Sequence, residues 1–208
     1  MLYIFIIGHQ HNAKQSSFFS SDGAHRFSHG GLLRQKKRGR KARALSVKEP
    51  LHTVFKIARH RLRQKSLRAP QSFKLVLKII EKYAKHFGVK IEQLSIQNDH
   101  IHLLIRTSRR KHYHHFFRVV AGQIAQSFEK EGLLSAMTDT LFGSNKHAAN
   151  TENLWKYRPF SRVIRGYRAY KIIRNYIQLN EKEALGEIIY QKKRLKGLST
   201  ADWQILWA

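Results

Sequence analysis

The chain contains no cysteine. That absence excludes disulfides, thiolate zinc sites and cysteine nucleophiles together. Acidic residues are scarce, with 13 Asp and Glu against 40 Lys and Arg, so the formal net charge is +27. A charge of that size opposes compaction unless the working partner is a polyanion. Long hydrophobic runs are missing too: no stretch approaches the ~18–20 apolar residues that span a bilayer. The apolar start, Leu2 to Ile7, is shorter than a signal-peptide core of ~7–15 residues, and no basic segment precedes it. Nucleic acid is therefore the expected partner, without a membrane, and the expected location is cytoplasmic and nucleoid-associated. Proline is rare, three residues in all, which makes each one a useful boundary marker. Enough apolar sequence remains (42%) to build a core, and 208 residues suit one domain with an arm or tail, or two very small ones.

Residues 1–48 are rich in Ser, Gly and His and then carry Arg34-Gln35-Lys36-Lys37-Arg38-Gly39-Arg40-Lys41-Ala42-Arg43. A run this basic is solvated when alone and orders on a phosphate backbone, so 1–48 reads as a flexible arm. Lys36, Lys37, Arg38, Arg40 and Lys41 are its candidate DNA contacts. Regular patterning starts at Pro50. Residues 51–57 read as a strand, 70–87 as a helix opened by Pro70 and stopped by Gly88, and 89–96 and 100–107 as strands around an Asn98-Asp99 turn. A helix follows over about 113–130, then a long polar loop over 132–153. Residues 154–164 read as an edge strand, because Pro159 cannot donate to a ladder. A last helix spans about 167–190, with a break near Gly186, and the 191–208 tail ends in an apolar segment expected to dock on the core. The order β-α-β-β-α-β predicts a ferredoxin-like α+β fold: an antiparallel sheet with helices on one face, plus an extra C-terminal helix, within a domain of residues 49–190.

The richest stretch is Gln97-Asn98-Asp99-His100-Ile101-His102-Leu103-Leu104-Ile105-Arg106. Alternation along a strand sends His100 and His102 to one side and Ile101, Leu103 and Ile105 to the other. With the aliphatic side buried, the two imidazoles stand together on an accessible surface as a chelate for a divalent ion. On the last helix, Tyr176 and Asn180 are one turn apart and share a face. Two imidazoles and an amide oxygen suit Mg²⁺ or Mn²⁺ and leave coordination positions for phosphate oxygens. Tyr176 is then placed to attack phosphorus as a nucleophile, given surroundings that favour the phenolate.

These residues carry a specific resemblance. His100-Ile101-His102 resembles the HUH signature of His, hydrophobic, His, and Asn98 through Ile105 is similar to its form in the single-tyrosine transposases. Asn175-Tyr176-Ile177-Gln178-Leu179-Asn180 resembles the segment carrying that family's nucleophile and third metal ligand, and Tyr167-Arg168-Ala169-Tyr170 resembles the lead-in to its helix. The nearest branch is that of the REP-associated tyrosine transposases, over roughly residues 50–190. The resemblance implies divalent-metal-dependent cleavage and rejoining of single-stranded, hairpin-associated DNA through a 5′-phosphotyrosine on Tyr176. His100, His102 and Asn180 would be the metal ligands. It also allows either a monomer or a homodimer that exchanges catalytic helices.

Other residues carry weaker signals. His52 on the first strand is a candidate to line the metal face. His9 and His11 flank a polar residue in the arm, and His112, His114 and His115 open a helix, so neither set is assigned catalysis. Arg158, Arg162 and Arg165 flank the segment leading into the Tyr176 helix and are candidate phosphate contacts, with Trp155, Tyr157 and Phe160 beside them as platforms for unpaired bases. Two rival readings are a non-catalytic nucleic-acid-binding derivative of such a transposase and a basic scaffold subunit of a ribonucleoprotein.

Overall fold

In the computed structural model, which describes residues 27–31, 42–135 and 153–207, the strands are β1 (Ser28–His29), β2 (Leu51–Lys56), β3 (Val89–Ile96), β4 (His100–Thr107) and β5 (Phe160–Val163). The helices are α1 (Pro70–His86), α2 (Arg110–Lys130), α3 (Tyr167–Ala184) and α4 (Thr200–Trp207). All strand pairs are antiparallel, in the order β1-β5-β2-β4-β3. From β2 onward the chain runs β-α-β-β-α-β, and β5-β2-β4-β3 is the strand order of the expected ferredoxin-like fold.

One face of the sheet is the main core. Leu51, Phe55, Ile101, Leu103 and Ile105 meet Val76 and Ile80 of α1 and Phe116, Val120, Ile124 and Phe128 of α2. The recurrence of apolar residues at three- and four-residue intervals is what lets each helix lay a continuous stripe on the strands. Pro70 sits in the first turn of α1, where its missing N–H costs nothing, and Gly88 at φ +58 closes that helix.

The opposite face corrects an expectation. His102 and Leu104 do not face solvent, because α3 lies across them, and His100 at the strand's start stays partly exposed. Ile173 and Ile177 of α3 need apolar surface, and Leu104 and Ile164 supply it in a second cluster that includes Tyr176. Polar bonds pin the C-terminal half of the same helix. The Gln97 side chain donates to the Asn180 backbone oxygen at 2.8 Å, and Arg68 pairs with Glu181 at 3.0 Å. The helix ends at Ala184, short of the expected Tyr190, ahead of Gly186 at φ +79. The tail does dock: Leu206 of α4 packs with Leu179 and Ile188.

At the other side of the sheet, β5 is not an edge strand. It begins only after Pro159, and β1 pairs along it, Ser28 opposite Arg162 and His29 opposite Ser161. The turn after β1 needs glycine at position 30: φ is +84, and a Cβ there would lie 2.2 Å from the Pro159 oxygen. Residues 27–31 and 42–48, placed by composition in the flexible arm, thus join the domain. Phe27, Ala44 and Leu45 pack on the core, and Arg43 donates to the Pro159 oxygen at 3.0 Å and to Ser161 Oγ at 2.6 Å. Lys36, Lys37, Arg38, Arg40 and Lys41 lie outside the described residues, as do His9 and His11. Among the described residues no helix is long and apolar enough to cross a membrane.

Candidate active site

Antiparallel register sets the site's floor. On β4, His100 stands opposite Lys56 and His102 opposite Val54, with Ser95 of β3 on the other side of His102. The two imidazoles are neighbours on one face, ring centroids 4.7 Å apart and nearly perpendicular. Each is held through Nδ1. His100 Nδ1 lies 2.6 Å from Asp99 Oδ1, and Asp99 in turn pairs with Lys56 at 3.3 Å. Burial pushes the Asp99 carboxyl up, but the hydrogen bond and charge of His100, then those of Lys56, outweigh it and hold it at about 2. A carboxylate only accepts, so His100 Nδ1 carries a proton in this contact. His102 Nδ1 lies 3.1 Å from Nε2 of His52, whose ring stacks on it at 5.4 Å. Both rings are buried, and His102 Nε2 has no hydrogen-bond partner. Burial first, and neighbouring positive groups second, depress both: His52 to about 3 and His102 well below the ordinary imidazole range.

The roof comes from α3. Tyr176 meets His102 edge-on, centroids 5.7 Å apart and rings nearly perpendicular. Asn180, one turn on along the same helix, is its nearest polar neighbour in sequence on that face. Burial raises the phenol above its usual range; the polar Asn180 side chain and the Arg194 charge act against that shift without reversing it. Tyr176 is only 4% exposed, so its ring shares the second apolar cluster while its hydroxyl belongs to the polar site.

Arg194, from the segment after α3, completes the cluster and was not anticipated from sequence. Its guanidinium donates to Asn180 Oδ1, bonds both Glu183 oxygens at 2.8 and 2.7 Å, and sits 5.3 Å from the Tyr176 ring centroid. A guanidinium only donates, which identifies the atom facing it as the amide oxygen. The signal for Arg194 in the sequence was weak, one cation among 40.

This arrangement fits a divalent ion. Among the described residues no group of three or more His, Cys, Asp and Glu is placed to hold a metal, so a third protein ligand would have to be an amide. His102 Nε2, which has no partner, His100 Nε2 and the Asn180 oxygen are the atoms that would supply that donor set. A carboxamide oxygen has two lone pairs, and Arg194 uses one.

The other candidates divide. Arg158 and Arg165 are exposed, the latter over the Phe27 ring at 5.0 Å, while Arg162 is half-buried opposite His52. Trp155 is structural: its indole donates to the Ala121 oxygen at 2.9 Å and its ring packs edge-on against Phe55. Phe160 sets its edge toward His52 at 6.4 Å, and Tyr157 is half-buried.

Comparison with known proteins bears on family. The chain is similar in structure to a REP-associated tyrosine transposase bound to a REP hairpin, with a TM-score of 0.51, 14% identity, and 73% of this chain and 76% of that one covered. It is also similar to a candidate transposase from Deinococcus radiodurans R1, with a TM-score of 0.40, 17% identity, and 69% and 98% covered. No curated protein matches the sequence. The model of one family, described as IS200-like transposase, matches residues 51–180. That span runs from the first residue of β2 to Asn180 and takes in more than half of the chain, which therefore belongs to the IS200-like transposases.

Proposed function

We propose that the protein is a transposase that cleaves and rejoins single-stranded, hairpin-associated DNA, with Tyr176 as nucleophile and Mg²⁺ or Mn²⁺ held by His100, His102 and Asn180. The observation that carries this reading is the meeting of two distant sequence motifs: His100 lies beside His102, His102 is edge-on to Tyr176, and Asn180 is one turn from Tyr176 on the same buried helix face. The likeness to a transposase bound to a REP hairpin supports a hairpin-bearing substrate.

Tyr176 Oη forms a bond to phosphorus as the P–O3′ bond breaks, giving a 5′-phosphotyrosine and a free 3′-hydroxyl. The phenolic proton is lost, and the departing 3′-oxygen gains one. The reverse attack by a 3′-hydroxyl rejoins strands and restores the phenol. No nucleotide cofactor is needed, because the covalent bond to Tyr176 conserves the energy of the phosphodiester. A bound divalent cation would polarise the phosphate and favour charge on the attacking oxygen. Arg194 adds positive charge beside the phenol and bonds the Asn180 amide oxygen, which fixes the orientation of that amide. Burial under α3 keeps water from competing with the 3′-hydroxyl. Arg158, Arg162 and Arg165 lie on or beside β5, the strand next to β2, and would grip the incoming strand's phosphates.

The test is covalent capture. Labelled single-stranded DNA carrying a hairpin, incubated with the protein and Mn²⁺, should form an adduct that survives denaturation, is absent with chelator, and vanishes in Tyr176→Phe. An adduct that persists in Tyr176→Phe means the nucleophile is wrong. If the wild type forms no adduct but still binds the hairpin, the non-catalytic reading is the correct one.

A further inference from the structure

His52 sits on β2, diagonal to His102, 50 residues upstream and outside both motifs that define the candidate site. It is 4% exposed and its Nε2 lies 3.1 Å from His102 Nδ1, the rings stacked within 13° of parallel. Phe160 closes over one side, and the cationic Arg162 lies opposite it on β5. A polar ring so enclosed has one directional contact of consequence, the bond to His102.

One proton occupies that bond, and two placements exist. If it sits on His52 Nε2, His102 Nδ1 accepts, and neutral His102 must carry its own proton on Nε2. That N–H would be buried with nothing to receive it, since His102 Nε2 has no partner. If the proton sits on His102 Nδ1 and His52 accepts, His102 Nε2 is a bare lone pair, the form a metal ligand takes. A buried N–H without an acceptor costs more than an unused lone pair, which favours the second placement. Double protonation of His102 meets the same obstacle, because it too would put an N–H on the buried, partnerless Nε2. The other imidazole is anchored through the same ring nitrogen, with Asp99 accepting from His100 Nδ1.

We infer that His52 is a positioning residue: by accepting the Nδ1 proton of His102 it fixes that ring's tautomer and orientation, so that Nε2 is delivered as a ready ligand toward Tyr176 and Asn180. The inference deepens the proposed metal site and rests on it for its purpose, but the tautomer itself is a property of the metal-free protein. In water imidazole prefers the proton on Nε2, so the arrangement has to be imposed by a partner.

The experiment reads tautomer and affinity separately. Long-range ¹H–¹⁵N correlation spectra of metal-free, ¹⁵N-labelled protein at neutral pH, with His102 assigned through His102→Gln, should show His102 protonated on Nδ1 and bare on Nε2. In His52→Leu the proton should move to Nε2, and Mn²⁺ affinity by calorimetry should fall about 10–100-fold, the usual cost of losing a ligand's hydrogen-bond partner. His52→Gln, whose side-chain oxygen accepts the same N–H, should retain the Nδ1 tautomer and hold Mn²⁺ affinity within a few-fold of wild type. A wild-type His102 protonated on Nε2, or a tautomer unchanged in His52→Leu, overturns the inference. Should His52→Leu fail to fold, the wild-type spectrum and His52→Gln still decide it: loss of the Nδ1 tautomer in His52→Gln counts against it. Wild-type protein that shows the Nδ1 tautomer yet binds no Mn²⁺ sinks the metal site and leaves the role of His52 standing.

Discussion

Arg194 adopts φ +52, a backbone conformation that L residues with side chains rarely take. Its surroundings over-determine it: two bonds to Glu183, one to Asn180, and stacking at 5.3 Å on Tyr176 and 5.0 Å on Tyr190. These contacts place a permanent cation against Tyr176, the proposed nucleophile, whose phenol burial pushes above its usual range. Arg194→Ala should therefore slow adduct formation by at least about tenfold, equivalent to about 1.4 kcal/mol, while Mn²⁺ affinity changes by no more than a few-fold. Arg194→Lys should recover only part of the rate, because an ammonium cannot serve Glu183 and Asn180 with the same planar fork. Time courses of adduct on denaturing gels measure both. An Arg194→Ala rate equal to wild type would remove Arg194 from the chemistry.

Helix α3 supplies Tyr176 and Asn180, and its seat on the sheet decides whether they reach the histidines. Leu104 and Ile101 occupy the same strand, are both fully buried, and face opposite layers. Truncating either to alanine should cost about 2–5 kcal/mol in urea unfolding. The consequences should differ in place. Leu104→Ala loosens the seat under Ile173 and Ile177, so amide hydrogen exchange in α3 should accelerate and adduct yield should fall well below the melting temperature. Ile101→Ala removes packing against α1 and α2 and should leave α3 exchange near wild type. Equal acceleration of α3 exchange in both variants would show that the helix is not held by its own face of the sheet.

A net charge of +27 governs how the whole protein meets DNA. Deleting residues 1–48 would not isolate the basic arm, because it also removes β1 and the Arg43 bonds to Pro159 and Ser161. Replacing Lys36, Lys37, Arg38, Arg40 and Lys41 with glutamine isolates it. Hairpin binding by fluorescence anisotropy should weaken, and the slope of log affinity against log salt should shrink by roughly 0.7–0.9 for each phosphate no longer neutralised. Cleavage of a minimal single strand should continue at the wild-type rate. An unchanged salt slope would show that the run does not engage the DNA backbone.

Much of this molecule is local, and local structure is legible in a sequence. The alternation in His100–Thr107, the apolar stripes of α1 and α2, the Pro70 start and the Gly88 stop each depend on residues within a few positions, and the strands β3 and β4 and the order β-α-β-β-α-β followed from them. The site motifs were legible for the same reason, since His100 and His102 share a face by alternation and Tyr176 and Asn180 by helical pitch. Other features depend on partners far along the chain. Composition placed 27–31 in an arm, because a two-residue strand has no pattern until β5 pairs with it. Trp155 looked free to stack on bases until α2 offered it the Ala121 oxygen. Only the packing of α3 on the sheet's second face buried His102, set Tyr176 against it and let Arg194 reach Asn180; only the β2–β4 register put His52 behind His102. Backbone periodicity determines which side of an element a side chain occupies, whereas which two sides meet is decided by burying apolar surface across the whole chain, and that is a property of the tertiary structure.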